Sequence, residues 1–296
     1  AFSAAFSPDG AWLAAASPEA GVVRFWDVRP ETPQVLADLP GFLGSFSSAA
    51  LAPDGSRAAL GLRRRVEVWE MFADPLQSTH SVSGEFNWVF GLDFSPDGST
   101  LASAGGDHRI SLWRASDGQR LNVLEGHNDW IWSIAYAPSG RLLASGSQDG
   151  TLRLWRVWPP ENAGPERILQ SGRRPVLRVA FSPDSLRVAA SFVDGSVEIY
   201  SVLDGKLQNT LLGHTGSVYA LGFSPDGDLL ASGSSDGRVN LWRVSSGALL
   251  NAFQFDSWAD FVFFIPSGQA LGVAGGAEGL VRFYTSDGSP LSRLPE

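Results

Sequence analysis

Short runs of alternating apolar and polar residues fill the chain, and turn signals separate them at regular intervals. Val218-Tyr-Ala-Leu-Gly-Phe223 is one such run. Leu229-Leu-Ala-Ser-Gly-Ser234, Arg238-Val-Asn-Leu-Trp242 and Ala248-Leu-Leu-Asn-Ala-Phe253 follow it. A period of two over five or six residues predicts half-buried β-strands, here designated a, b, c and d in order. The breaks between them are Pro225-Asp-Gly227, Ser235-Asp-Gly237 and Ser245-Ser-Gly247. Each suits a tight turn: proline presets φ, aspartate or serine bonds nearby backbone, and glycine accepts positive φ. No stretch of useful length carries a helical period.

The same group of four runs recurs. An apolar residue followed by x-Pro-(Asp/Ser)-Gly, or Ser185 in place of the glycine, places prolines at 8, 53, 96, 138, 183, 225 and 266. Their spacing stays between 41 and 45 residues. A second marker follows each proline by 16 to 18 residues: Trp26, Trp69, Trp113, Trp155, Tyr200, Trp242 and Tyr284. Two markers that keep phase through seven units establish a repeat, with one supersecondary unit per period.

The clearest copy runs from Gly126 to Trp155. It opens on Gly126-His127, turns at Asp149-Gly150 and ends on Trp155, six residues after the aspartate. Gly213-His214, Asp236-Gly237 and Trp242 repeat the arrangement. On these residues the whole chain resembles the WD40 repeat family. The resemblance implies an all-β fold, a seven-bladed β-propeller of four-stranded antiparallel blades, as one domain over 1–296. The units fall at about 1–40, 41–83, 84–125, 126–170, 171–212, 213–253 and 254–296. Every unit carries its own four runs, so the ring is expected to close without a strand shared between the first and last blades. Radial repetition of this kind leaves only short sheet edges.

Composition narrows the partners. The net charge of −9 lacks the Lys/Arg surplus that phosphate neutralisation needs, which argues against nucleic acid and against an anionic membrane surface. The chain contains no cysteine, so disulfides and thiolate chemistry are excluded. No metal-ligand spacing or phosphate-cradling loop is present, and no cofactor is implied. The chain starts at Ala1 inside a strand pattern, which suggests a processed or excised piece. Close agreement with the repeat consensus and richness in Ala, Gly, Pro and Trp suggest a bacterial source.

The resemblance also implies a buried network joining loop His, strand-b Ser, turn Asp and strand-c Trp. His127, Ser145 (or Ser147), Asp149 and Trp155 match it, as do His214, Ser232 (or Ser234), Asp236 and Trp242. A Ser-His-Asp set also occurs in hydrolases. Two copies at identical spacing, each with a tryptophan, point instead to scaffolding that satisfies buried polar groups. The blades holding these copies are expected to be the most rigid.

Partner recognition in this family centres on the face carrying the d–a and b–c loops, around the mouth of the central channel. The implied lining position lies four residues before the strand-a marker: Phe2, Ser47, Phe90, Trp132, Leu177, Tyr219 and Asp260. Trp88, Trp130 and Trp258 stand two residues further up. Aromatic anchors at exposed positions suit a protein or peptide partner, the alternative being rings that plug the channel and pack between blades, and Asp260 among rings suits a cationic group. Arg63-Arg64-Arg65 and Arg173-Arg174 are expected as solvated positive spots on the same face. Trp158-Pro-Pro-Glu-Asn-Ala-Gly-Pro165 is expected to project from the opposite one, as an ordered but idle loop in preference to a spacer or docking segment.

The sequence thus reads as a non-catalytic, monomeric scaffold for protein or peptide. A ligand-sensing domain of a larger regulatory protein is the second reading. A small-molecule-binding or hydrolytic propeller, using carboxylates such as Glu85, Asp129, Asp256 or Asp260, is the third.

Overall fold

A computed structural model describes residues 4–6, 12–17, 22–27, 34–40, 46–71, 77–83, 88–255, 257–265, 267–275 and 280–291. They form seven four-stranded antiparallel sheets, each from four consecutive strands. The sheets span 4–40, 46–82, 89–124, 131–171, 176–211, 218–254 and 259–291, and are numbered blades 1 to 7. The innermost strands of successive blades pack side by side from blade 1 to blade 7, in the arrangement of a propeller. Ala4–Phe6 pairs with Trp12–Ser17 inside blade 1, and Pro290–Leu291 completes blade 7, so neither blade borrows a strand. Among the described residues the helical structure is one 3-10 turn, Pro160–Asn162.

The core lies between blades. Ala104, Ile110, Leu112 and Leu124 of blade 3 pack on Ile131, Tyr136, Leu143 and Trp155 of blade 4. Strand b is sandwiched on both sides: Thr100–Gly105 is buried throughout, although its sequence would also suit a one-sided strand. Outer strands such as Leu249–Gln254 stay largely exposed.

The a–b turns follow their residue chemistry. Asp97 Oδ1 accepts the Ser99 N–H at 3.0 Å, and Gly98 sits at φ 68°. A Cβ on that glycine would stand 3.6 Å from Pro53 Cδ of the preceding blade, so the turns stack as well as reverse the chain. Blade 5 puts Ser185 at the same place, with φ 61°. Its hydroxyl accepts the Ser139 N–H of blade 4 at 3.0 Å, a bond glycine could not make.

Backbone bonds assign the loops to two faces. Gln148 N–H donates to Trp130 O, and Ser235 N–H to Ser217 O, tying d–a loops to b–c turns on one face. Val202 N–H donates to Leu186 O and Val244 N–H to Asp228 O, tying c–d to a–b turns on the other.

Candidate functional site

Six inner strands share one irregularity. Pairing with strand b skips a residue between Phe46 and Ser48, Ile131 and Ser133, Val176 and Arg178, Val218 and Ala220, and Ala259 and Phe261. In blade 3, Gly105 pairs with Val89 and Ala104 with Gly91, leaving out Phe90. The skipped residues are Ser47, Phe90, Trp132, Leu177, Tyr219 and Asp260. A β-bulge frees its extra residue from the ladder and re-aims the side chain. All six line one cavity of about 820 Å³ along the propeller axis. The simple alternation expected from sequence fails here. In Ile131–Tyr136 both Ser133 and Ile134 are buried, because the bulge shifts the phase.

The aromatic residues divide. Phe90 and Trp132 pack with ring centroids 4.7 Å apart at the cavity wall. Trp130 meets Phe90 at 5.9 Å and Trp132 edge-on at 5.4 Å. Trp132 Nε1–H donates to Gln148 Oε1 at 2.9 Å, which fixes its ring. Tyr219 is 40% and Trp130 43% exposed. Trp258 is exposed and Trp88 lies under the Arg63 guanidinium at 5.8 Å; with Trp130 they stand outside the cavity lining. Phe2, Glu85 and Asp256 lie outside the described residues. Phe90, Trp130 and Trp132 form a clustered rim beside an open cavity.

Two polar groups sit deeper. Asp93 Oδ2 accepts the Tyr136 N–H of the next blade at 2.6 Å, and both residues line the cavity. Burial pushes the Asp93 carboxyl up to about 7, against the pull of two backbone N–H donors. Arg178 of blade 5 lies over the Phe261 ring of blade 7, its guanidinium carbon 4.7 Å from the centroid. Burial lowers the pKa of Arg178, and the charge of Asp260 opposes that shift. Burial raises the Asp260 carboxyl, with Arg178 pulling the other way.

The networks lie outside the cavity lining. In blade 4, His127 Nε2 and Ser145 Oγ are 2.6 Å apart, and Trp155 Nε1–H donates to the same hydroxyl at 2.8 Å. His127 Nδ1 lies 2.9 Å from Asp149 Oδ2. A neutral imidazole carrying its proton on Nδ1 satisfies all three contacts, a tautomer assigned from the bonding pattern. Burial holds the His127 pKa down despite the aspartate. Asp149 stays below the carboxylate range: burial opposes this, but His127, Thr151 and the Asn128 N–H outweigh it. Blade 6 repeats the set, with His214 Nε2 2.8 Å from Ser232, His214 Nδ1 3.0 Å from Asp236, and Trp242 Nε1–H donating to Ser232 at 2.8 Å. Ser147 plays another part: its hydroxyl donates to Trp130 O at 2.9 Å, and Asp149 N–H donates to it.

Arg174 is not a solvated spot. It donates to Asp194 Oδ2 at 3.0 Å, Ser196 Oγ at 2.8 Å and Glu198 Oε1 at 2.6 Å, and it covers the Phe192 ring at 4.3 Å. Tyr200 O–H donates to the other Glu198 oxygen. The available signal was Glu198, an acid in the middle of a buried strand c. Arg63, Arg64 and Arg65 are exposed as expected, with Arg65 Nε 2.8 Å from Glu67. The Trp158–Pro165 segment does not extend as a spacer. Asn122 Nδ2 lies within 3.0 Å of Pro160 O and 3.3 Å of Ala163 O, tying it back to blade 3.

Comparison with known proteins agrees with this geometry. The family model described as WD40, "WD domain, G-beta repeat", matches residues 2–27, 76–114, 118–156, 165–201 and 205–243, together more than half of the chain. WD repeat and SOCS box-containing protein 1 of Homo sapiens is 32% identical over 95 residues, covering 31% of this chain and 22% of that protein. Protein LST8 homolog of Drosophila pseudoobscura pseudoobscura is 27% identical over 104 residues, 33% of this chain and 32% of its own length. Protein groucho of Drosophila melanogaster is 28% identical over 116 residues, 38% of this chain and 15% of that protein. The chain thus spans about a third or less of these relatives' lengths. All three are eukaryotic, so the bacterial source suggested by composition has no support among them.

Proposed function

The chain belongs to the WD40 repeat family, and from that premise we propose that it is a non-catalytic platform that holds a protein or peptide at the channel mouth. One observation carries the reading: six strand-a bulges aim Ser47, Phe90, Trp132, Leu177, Tyr219 and Asp260 into one cavity. A bulge weakens its own sheet, so six at one level are better explained by what they present than by stability. The half-exposed Trp130, Trp132 and Tyr219 supply rigid aromatic anchors around a concave centre. Trp88, Trp130 and Trp258 extend the same face outward. The networks of blades 4 and 6 serve the scaffold: each joins a d–a loop to strand b, strand c and the b–c turn, holding the rim in place. A single domain working as a monomer is sufficient for this role.

The case for a cationic partner rests on Asp260 set among aromatic rings. Arg178 shares the cavity and counters that charge, so aromatic packing is the main source of affinity.

Replacing Trp132, Tyr219 and Asp260 together by alanine is expected to abolish capture of partner from lysate. The melting temperature should stay within a few degrees of wild type, because bulged side chains carry little of the sheet's pairing. Leu203→Ser, on the opposite face at 86% exposure, is the matched control and should capture normally. A large fall in melting temperature for the triple variant would mean that the rings pack rather than recognise.

A further inference from the structure

One level below the bulges, the strand-a residue three before the marker is, among the described residues, small in four blades: Ser48, Gly91, Ser133 and Ala220. These residues face the neighbouring blade closely. Ser48 Oγ donates to Val89 O at 2.8 Å, and a Cβ on Gly91 would meet Ile134 at 3.0 Å. Blades 5 and 7 break the rule with Arg178 and Phe261. The arginine reaches past Ala220 of blade 6 to the phenylalanine of blade 7, so the two span part of the channel.

That contact leaves the arginine incomplete. A phenyl ring covers one face of a guanidinium, whereas its five N–H donors lie in the plane of the group. Among the described residues Arg178 makes no hydrogen bond and no ion pair. Asp260 lies near enough to act on it electrostatically but outside ion-pair distance. Arg174 of the same blade shows the contrast, with two carboxylates and a hydroxyl around its guanidinium. A partly desolvated cation with open donors is costly unless something completes it. The planar fork matches a carboxylate, which accepts two parallel bonds. Leu177, Val179 and Leu221 line the adjoining wall, and about 820 Å³ is room for a side chain or a small acid.

We propose that the channel accepts a carboxylate attached to an apolar or aromatic body, with Arg178 pairing the carboxylate and the apolar part lying against the wall and rim. This deepens the platform reading and rests on it: the carboxylate belongs to an acidic side chain or chain end of the bound peptide, or to a free small acid of the same chemistry.

Two matched probe pairs test it by calorimetry on the intact protein. The first is N-acetylphenylalanine against its amide. The second is the capped peptide Ala-Phe-Glu-Phe-Ala against the same peptide with glutamine. Wild-type protein is expected to prefer the acid by roughly tenfold or more in at least one pair, and the pair that discriminates identifies the source. Arg178→Gln should remove the preference, and Arg178→Lys, a charge without the fork, should keep only part of it. Equal binding of acid and neutral probe in both pairs, no binding of any probe, or an unchanged preference in a folded Arg178→Gln overturns the proposal. The wild-type comparison stands even where a variant fails to fold. The two readings fail separately. Partner capture that depends on Trp132, Tyr219 and Asp260 but probes that do not discriminate would leave the platform without the carboxylate site. Discriminating probes with capture indifferent to the rim would do the reverse.

Discussion

Blades 4 and 5 solve one problem with opposite chemistry. Each must tie its d–a loop to the b–c turn and to strand c. Blade 4 uses a neutral His127 between Ser145 and Asp149, with Trp155 behind it. Blade 5 has Ala190 where blade 4 has Ser145 and Tyr200 where it has Trp155. There the loop sends in Arg174, which holds Asp194 and Glu198 together, and Tyr200 closes the set. Both blades satisfy a cross-link at this place, and they do so with different residues. The two solutions differ in what breaks them: the first depends on keeping an imidazole uncharged, the second on keeping charges paired.

The comparison breaks most severely at Arg174. Arg174→Met strands Glu198, whose side chain is 8% exposed, beside Asp194. The expected loss is about 2–3 kcal/mol, less than for a sealed pair because the arginine side chain is 33% exposed. Thermal or denaturant unfolding measures it, and adding Glu198→Gln should recover part. A loss no larger than that of an ordinary surface substitution would show that the cluster is not a cross-link.

A smaller effect separates the blades by pH. His127 and His214 have folded pKa values below the ordinary 6.5, so the unfolded chain takes up the proton first as pH falls. Their contribution is complete above about 6.5 and declines below it. Asp149 and Asp236 are also lowered, which adds a further loss at more acid pH. Arg174 does not titrate in this range. Between pH 7.5 and 5.5, amide exchange corrected for its intrinsic rate should quicken more in blades 4 and 6 than in blade 5. An equal response would remove the distinction. The same experiment checks whether blades 4 and 6 are the most protected at neutral pH.

The smallest effect is at the blade 4–5 turn contact. Ser185→Gly relieves a left-handed serine but removes the bond from Ser139 N–H. The two should nearly cancel, leaving the stability within about 1 kcal/mol of wild type. A larger loss would assign the inter-blade bond more weight than the backbone relief.

The fold was legible because its signals are local. The Pro-(Asp/Ser)-Gly turn, with Ser185 for glycine in one unit, and the strand-c tryptophan or tyrosine mark every unit by themselves, and their phase counts the blades. The His-Ser-Asp-Trp sets were legible through the family resemblance. The Arg174 cluster was not, since its partners lie 20 to 24 residues away across a turn and no fixed spacing announces them. The channel column was readable as a position, but its cause was hidden. Ser47, Phe90, Trp132, Leu177, Tyr219 and Asp260 share no chemistry, and a bulge that tolerates them all leaves no residue signature. Arg178, next to Leu177, is set apart in the sequence only as a long cation in a column otherwise rich in serine, glycine and alanine.

That tolerance has a consequence for how such a molecule changes over time. A residue outside the ladder has no register to keep and no opposite neighbour to match, so it can be exchanged without retuning the sheet behind it. The scaffold therefore holds six positions in a ring outside the ladder, of which only Phe90 and Trp132 are coupled to one another by a ring contact. Divergence at the rim is cheap for folding, and two descendants of one propeller can come to differ in what they hold while remaining superimposable everywhere else.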